Sequence, residues 1–516
     1  MAEGRSRPYR DRDGFFKRLQ GLPFVVVVMG VAALSMWLPA AHGYAVSDYA
    51  TSRAFFYSGL FFMILVVMLG LATHNMRIRR QGRSQLISIL STFTVLPLML
   101  AVPLAEAVPD TRFSNAYFEM VSSLTTTGMS LFRAERLPDT VHLWRAQVAW
   151  MGGFFIWLTA IAVFAPLTLG GFEMQAPQEV GQGARQAVNP ADPSMRLRRY
   201  TARLLPVYLG LTGALWLALF IAGDPPTVAL VHAMSVLSTS GISGIGGVAS
   251  APSGLIGELI IFLFFIFALT RLSFLTDERD DGLRSLGRDP ELRVAAALCF
   301  GLAILLFLRH WLVSFEGAEV SVLDALRAVW GALFTVASFL TTTGFESQSW
   351  DMARAWSGFG APGVLLLGLA VVGGGVATTA GGVKLLRCYA LAQHGIREME
   401  KLVQPSSIGA SGQLGRAFRR QGARAAWVFF MLFALSIACV TALVALTSGL
   451  SFEEAMILSI AALSTTGPLV DAAGTSPIEL LALSDPARLI LCLAMVVGRL
   501  EAIALIALLN PEFWRS

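Results

Sequence analysis

Charge is scarce in this 516-residue chain: 14% of its residues are Asp, Glu, Lys or Arg, against 55% hydrophobic ones. With a mean hydropathy of +0.64, the composition argues against a string of soluble domains, which would have to bury every apolar run at once. Cysteine is scarcer still. Cys299, Cys388, Cys439 and Cys492 lie far apart, with neither metal-ligand spacing nor a disulfide framework, and read as small apolar packing residues. Metalloprotease, nucleophile-elbow and P-loop signatures are lacking too, which counts against a membrane enzyme. Residues 358–363 spell a dinucleotide-binding glycine pattern, but no strand precedes them and a membrane span follows, so the match is set aside.

Apolar runs of about 20 residues, long enough to cross a bilayer's hydrocarbon core, recur instead. Residues 22–41, 54–71 and 86–105 are the first three. The first exceeds the roughly 7–15 residues of a signal-peptide core and reads as a membrane helix. The expected fold class is an all-α integral membrane protein. Its net charge of +5 is no nucleic-acid footprint, because the basic residues sit in loops between spans. Arg5, Arg7, Arg10, Arg12, Lys17 and Arg18 precede the first span, and Arg77, Arg79, Arg80 and Arg83 follow the second. The positive-inside rule puts both segments in the cytoplasm and makes the first two spans a hairpin.

A repeat then organises the rest. Leu124-Thr125-Thr126-Thr127-Gly128, Leu237-Ser238-Thr239-Ser240-Gly241, Leu340-Thr341-Thr342-Thr343-Gly344 and Leu463-Ser464-Thr465-Thr466-Gly467 share one template: Leu, hydroxyl, Thr, hydroxyl, Gly. Before each copy lies a long span, then a short apolar stretch (113–123, 227–236, 322–339 and 452–462), expected to be too brief to cross and so to dip in and return. After each copy comes a further span, near 144–167, 255–275, 362–386 and 487–508. The links between units are basic, notably at Arg196, Arg198, Arg199, Arg284, Arg288, Arg293, Lys401, Arg419 and Arg420. Ten spans with both termini inside follow from the same charge rule. The expected division is a basic arm and hairpin (1–84) and four pore repeats (85–170, 171–276, 277–390 and 391–516).

Irregular backbone at membrane depth is tolerated only where protein buries it or where it lines a watery cavity. Four copies suggest pseudo-fourfold symmetry, with carbonyl oxygens replacing a cation's hydration shell. Glycine permits the backbone geometry this needs, and the negative C-terminal ends of four short helices favour a cation. Helix packing alone would explain one such cluster, but not four in one register. The candidate filter residues are therefore Thr126, Thr127, Gly128, Thr239, Ser240, Gly241, Thr342, Thr343, Gly344, Thr465, Thr466 and Gly467.

Together with three other stretches, these segments resemble the Trk/Ktr/HKT superfamily of potassium transporters, most closely its bacterial Trk/Ktr-type membrane subunits. The three are Leu143-Trp144-Arg145 to Trp150-Met151-Gly152-Gly153, the run from Gly373 to Lys384, and Val497-Gly498-Arg499-Leu500-Glu501. The resemblance covers nearly the whole chain from Gln85, with the extra N-terminal hairpin of the Trk branch. Two departures stand out: Leu469 follows Gly467-Pro468 where the family often has Gly, and Gly375 stands where Cys or Ala is common. The resemblance implies potassium uptake across the bacterial inner membrane by a gated, channel-like pore. Potassium is then substrate, held at the filter, and no cofactor is covalently bound. Gly128 implies a preference for potassium over sodium. A sodium- or proton-coupled cation carrier is the alternative; a membrane enzyme or receptor is a more distant one. Implied partners are the bilayer, a second copy of the chain and a cytoplasmic nucleotide-binding regulatory subunit of the TrkA/KtrA type; no nucleic acid is expected.

The resemblance also implies a gate. Gly373, Gly374, Gly375, Gly381 and Gly382 would weaken any helix there, and with Thr378, Thr379 and Lys384 they read as a plug below the filter; Lys384 could instead snorkel to the inner surface. Arg499 reads as an electrostatic barrier, with an ion pair to Glu501 as the structural alternative. Nine residues before the filter glycines stand Glu119, His232, Thr335 and Leu458. Glu119 needs a partner, for which Arg145 is the nearest candidate, and the pair is expected to support filter one. His232 is expected to be a packed, hydrogen-bonded residue rather than a pH sensor.

Overall fold

The computed structural model describes residues 24–73, 81–164, 193–270, 287, 289–313, 322–358, 360–403, 422–474 and 478–500, which are helical and contain no strand. Helices α1 (Phe24–Ser35) and α2 (Trp37–Ala45) form a first span, and α3 (Tyr49–Thr73) returns. Four units follow: α4 (Gln81–Ala107), α5 (Phe113–Leu124) and α6 (Asp139–Thr159); α7 (Pro193–Ile221), α8 (Pro226–Ser238), α9 (Gly254–Phe264) and α10 (Ile266–Leu269); α11 (Pro290–Val313), α12 (Val322–Leu340), α13 (Trp350–Ser357), α14 (Pro362–Val372) and α15 (Leu385–Val403); α16 (Ala423–Ser448), α17 (Phe452–Leu463), α18 (Leu469–Ala473) and α19 (Asp485–Leu500). Among the described residues, 7 helices are long and apolar enough to cross a membrane. The protein is a multi-pass membrane protein.

Two details correct the sequence expectations. Helix α12, at 19 residues, is long enough to cross by itself. Its extra length is at its start, where Val322, Leu323 and Leu326 are exposed, and its second half is buried like its three counterparts. Conversely, α6 is not among the apolar spans and begins at Asp139, right after Pro138. Its His142, Arg145 and Gln147 are all buried, because this helix is wrapped by protein rather than lipid. The N-terminal hairpin supplies part of that wrapping. His42 Nδ1 lies 2.9 Å from Thr140 Oγ1, Gln147 Nε2 donates to the Ser35 carbonyl at 2.8 Å, and Phe55 packs edge-on against Trp144.

The short helices are assembled cyclically. Each of α5, α8, α12 and α17 packs on the long helix before it, and each also touches the second helix of the preceding repeat: α6 meets α8, α9 meets α12, α14 meets α17 and α19 meets α5. The last contact closes a ring, fastened where Arg488 on α19 donates to Asn115 Oδ1 on α5 at 2.6 Å. Close approach requires glycine. A Cβ on Gly152 or Gly498 would overlap the carbonyl of Leu124 or Leu463, the residues that open the first and fourth copies of the repeated template.

Candidate functional site

The repeated template has one backbone solution. Each short helix ends in a pair of bonds from the middle Thr and the following hydroxyl residue back to the carbonyls three and five residues earlier. These run Thr126 to Ser123 and Thr127 to Ser122, Thr239 to Val236 and Ser240 to Ser235, Thr342 to Phe339 and Thr343 to Ser338, and Thr465 to Ala462 and Thr466 to Ala461. This is the Schellman helix ending, which places a left-handed residue where glycine is usual. Here that residue is Thr each time, at φ 56, 53, 58 and 54. A β-branched residue there costs on the order of 1 kcal/mol or more, strain of the kind that collects at functional sites. The flanking hydroxyls pair across it in every copy: Thr125 with Thr127 at 2.9 Å, Ser238 with Ser240 at 3.1 Å, Thr341 with Thr343 at 3.0 Å and Ser464 with Thr466 at 3.2 Å. The first and third hydroxyls of the template are thus accounted for by one repeated bond.

The four loops adjoin in ring order. A Cβ on Gly128 would overlap the Ser240 carbonyl, one on Gly241 would overlap that of Thr343, and one on Gly344 would crowd Pro468. The Gly467 N–H donates to the Thr127 carbonyl at 2.6 Å, completing the circle. Gly128, Gly241 and Gly344 have positive φ, whereas Gly467 does not; there the chain turns through Pro468 into α18. All four glycines line one cavity of about 600 Å³, together with Glu346, Asp471, Glu479, Arg133, Arg136 and Arg145. Burial pushes the Glu346 carboxyl above its usual range, and nearby Asp351 and Asp471 add to this; burial likewise raises Asp471.

Behind the loops, the register nine residues before each glycine does one job in three repeats. Glu119 accepts from Leu131 N–H at 2.6 Å and Ser130 Oγ at 2.9 Å. His232 Nε2 bonds Ser243 Oγ at 2.9 Å, and Thr335 Oγ1 accepts from Ser347 N–H at 3.2 Å. Each ties down the chain leaving its loop. Leu458, in the fourth, is wholly buried. Arg145 meets Glu119 at 2.8 Å with both side chains buried. The sequence had not singled out Glu258, a buried acid that accepts from Trp330 Nε1, Ser347 Oγ and Gln348 N–H. A lone carboxylate in an apolar run was its only signal.

On the other side of the loops lies the segment 373–384. Gly373 and Gly382 have positive φ, as do Ala377 and Lys384. Its neck closes through bonds from Val383 to Val371 and Lys384 to Val372. Lys384 is buried and donates to the Ala380 carbonyl, which disfavours snorkelling. The tip reaches the middle Thr residues: Thr239 Oγ1 donates to the Thr379 carbonyl at 2.9 Å, Gly381 N–H donates to Thr342 Oγ1 at 2.8 Å, and a Cβ on Gly381 would overlap Thr465 Oγ1. Arg499, also buried, donates to that same Thr379 carbonyl at 2.7 Å; Glu501 lies outside the described residues. Gly375 N–H bonds the Ala268 carbonyl, which also accepts from Thr378 Oγ1, and Val376 N–H bonds Glu291 Oε1 at 2.8 Å. Glu291 too was missed, as one acid beside the basic Arg293. A small cavity of about 30 Å³ separates Gly381, Gly382, Lys384 and Arg499 from Ile156 and Ala160.

A ring of four helix–loop–helix repeats closed around adjoining hydroxyl-glycine loops defines a class of membrane protein, and comparison with known proteins agrees. The family model described as "TrkH: Cation transport protein" matches residues 260–514. The Trk system potassium uptake protein TrkH of Escherichia coli K12 is 30% identical over 442 residues, covering 84% of this chain and 87% of the relative. That of Halomonas elongata is 31% identical over 436 residues, covering 83% and 84%. The crystal structure of the potassium transporter TrkH from Vibrio parahaemolyticus superposes with a TM-score of 0.79 at 24% identity, over 97% of this chain and 100% of that one, which speaks to the fold. The chain belongs to the TrkH family of cation transport proteins. That family comprises membrane transporters, not enzymes.

Proposed function

We propose that the protein takes up potassium across a bacterial inner membrane, through the ring of loops centred on Gly128, Gly241, Gly344 and Gly467. The observation that carries this reading is fourfold. Four copies of one strained backbone, each with a left-handed Thr, adjoin in a closed circle within a membrane protein, and relatives are named as potassium uptake proteins. Thr126, Thr127, Thr239, Ser240, Thr342, Thr343, Thr465 and Thr466 complete the filter, whose oxygens substitute for potassium's water. The 600 Å³ cavity is the outer mouth, and both termini are cytoplasmic, as the basic loops favour. Segment 373–384 and Arg499 are the gate: glycine backbone and a buried cation stand in the path directly beneath the filter. Glu119 and Arg145 brace filter one.

The working form is a homodimer, with a cytoplasmic nucleotide-binding subunit docked on the basic inner loops and moving the gate. Growth of a potassium-uptake-deficient strain on limiting potassium tests the transport reading; absence of rescue at normal membrane levels rejects it. Co-elution with a purified regulatory subunit, and flux that responds to nucleotide, tests the partner reading. A monomer indifferent to that subunit rejects it.

A further inference from the structure

Two fully buried glutamates hold the segments leaving loops one and three, and they differ in one respect. Glu119 faces the Arg145 guanidinium, so its charge is matched locally. Glu258 reaches across from α9, in repeat two, to the segment after Gly344 in repeat three. Its Oε1 accepts from Gln348 N–H at 2.5 Å; its Oε2 accepts from Trp330 Nε1 at 2.7 Å and Ser347 Oγ at 2.8 Å. All three donors are neutral, and among the described residues Glu258 enters no ion pair.

Indole and amide N–H groups donate and never accept. Three donors around the two oxygens therefore match the ionised carboxylate. The Ser347 hydroxyl donates to Glu258 Oε2 and separately accepts from the Ser349 N–H at 3.1 Å. A buried anion without a local cation projects its field further than a matched pair does, because the surrounding protein screens it less than water. The segment it holds begins three residues past Gly344, at the mouth of the proposed filter.

We propose that Glu258 is a positioning residue whose unmatched negative charge raises cation affinity at the filter. This rests on the transport reading above. Repeat two thereby supplies, through repeat three, an electrostatic contribution that repeat one cancels with Arg145. The family of donors also predicts which variant isolates charge from shape. In Glu258→Gln alone, one amide nitrogen must face an N–H donor. In Glu258→Gln with Trp330→Phe, the amide oxygen accepts from Gln348 N–H and the amide NH₂ meets the Ser347 oxygen, so the brace survives without charge.

The test is concentration-dependent rubidium uptake by purified protein in lipid vesicles, with folding followed by size-exclusion chromatography. Wild-type uptake comes first; if it is absent, the transport reading fails and not this inference alone. With transport present, the double variant should elute like wild type, with its half-saturating rubidium concentration raised about fivefold, the order expected on losing one charge near a partly desolvated cation. Its maximal rate and its rubidium-over-sodium preference should hold. Unchanged half-saturation would overturn the proposal and leave Glu258 a mechanical brace. So would failure of the double variant to fold where Trp330→Phe alone folds, since charge would then be needed for structure rather than for affinity.

Discussion

The filter loops and the segment 373–384 are both irregular backbone at membrane depth, yet they are held in opposite ways. Each filter loop carries its own fastening: two Schellman bonds to its own helix, one hydroxyl pair, and a buried residue behind three of the four. The segment 373–384 closes its neck by itself and adds a few internal bonds, from Thr378 Oγ1 to the Gly375 carbonyl, Ala380 N–H to Thr378 Oγ1 and Lys384 to the Ala380 carbonyl. Its tip depends on other repeats, through Leu237, Thr239, Ala268 and Arg499, and on Glu291 of its own repeat's first span. Self-fastened structure stays put when its neighbours move, whereas borrowed bonds can be exchanged together. This contrast supports the proposed rigid filter above a movable plug.

The sharpest way to break the contrast is to disturb a self-fastened loop. Gly128→Ser places a side chain at φ 75 and against the Ser240 carbonyl. Strain of about 1–3 kcal/mol should cut flux about tenfold or more and lower the preference for potassium over sodium while the protein still inserts. Selectivity and flux equal to wild type would show that loop one is not in the path. Next in size is the brace behind it. Glu119→Ala strands a buried Arg145 cation at a cost of about 3–5 kcal/mol, visible as lower thermal stability in detergent; a melting temperature unchanged from wild type would contradict the buried pair.

Borrowed contacts should respond differently. Replacing Arg499 with Ala removes one contact on the plug, and deleting residues 377–380 removes its tip with the bonds to Thr239 and Leu237, while the Schellman bonds and hydroxyl pairs of all four loops stay. Basal rubidium flux per folded protein should rise about threefold to tenfold, with ion preference unchanged. Lower flux at normal folding would refute the gate. The smallest effect belongs to the outer mouth. Glu346 and Asp471 bind protons more readily than ordinary carboxyls. Acidification from about pH 7 to about pH 5 therefore neutralises more of them than exposure would predict, and should raise the half-saturating rubidium concentration about twofold. Glu346→Gln with Asp471→Asn should flatten that dependence; an equally steep dependence in the variant would assign it elsewhere.

How far the sequence discloses this arrangement depends on whether a feature repeats. The expected short helix at 113–123 is Phe113–Leu124 in the structure, and that at 452–462 is Phe452–Leu463, because four aligned copies mark their own ends. The register of Glu119, His232 and Thr335 was legible for the same reason. Helix α6 was harder to bound. Its polar residues face protein and depress the hydropathy that betrays lipid-facing helices, so its start at Asp139 rather than 144 was hidden. Glu258 and Glu291 occur once each and bond residues 72 or more positions away; no local pattern can announce such partners. Residues 373–384 lay between these cases. Their glycines declared a broken helix, but only the fold shows the tip against Thr239 and Thr342.

The most direct measurement fixes the plug without altering the filter. Thr378 Oγ1 donates to the Ala268 carbonyl across repeats two and three, so Ala268→Cys with Thr378→Cys is the pair to cross-link there, with disulfide formation verified by loss of free thiols and uptake scored against wild type under the same oxidant. Rubidium uptake by the oxidised variant should fall to the level of empty vesicles and return on reduction. Uptake that proceeds equally well through the oxidised, cross-linked protein would contradict a plug that must leave its borrowed contacts for ions to pass.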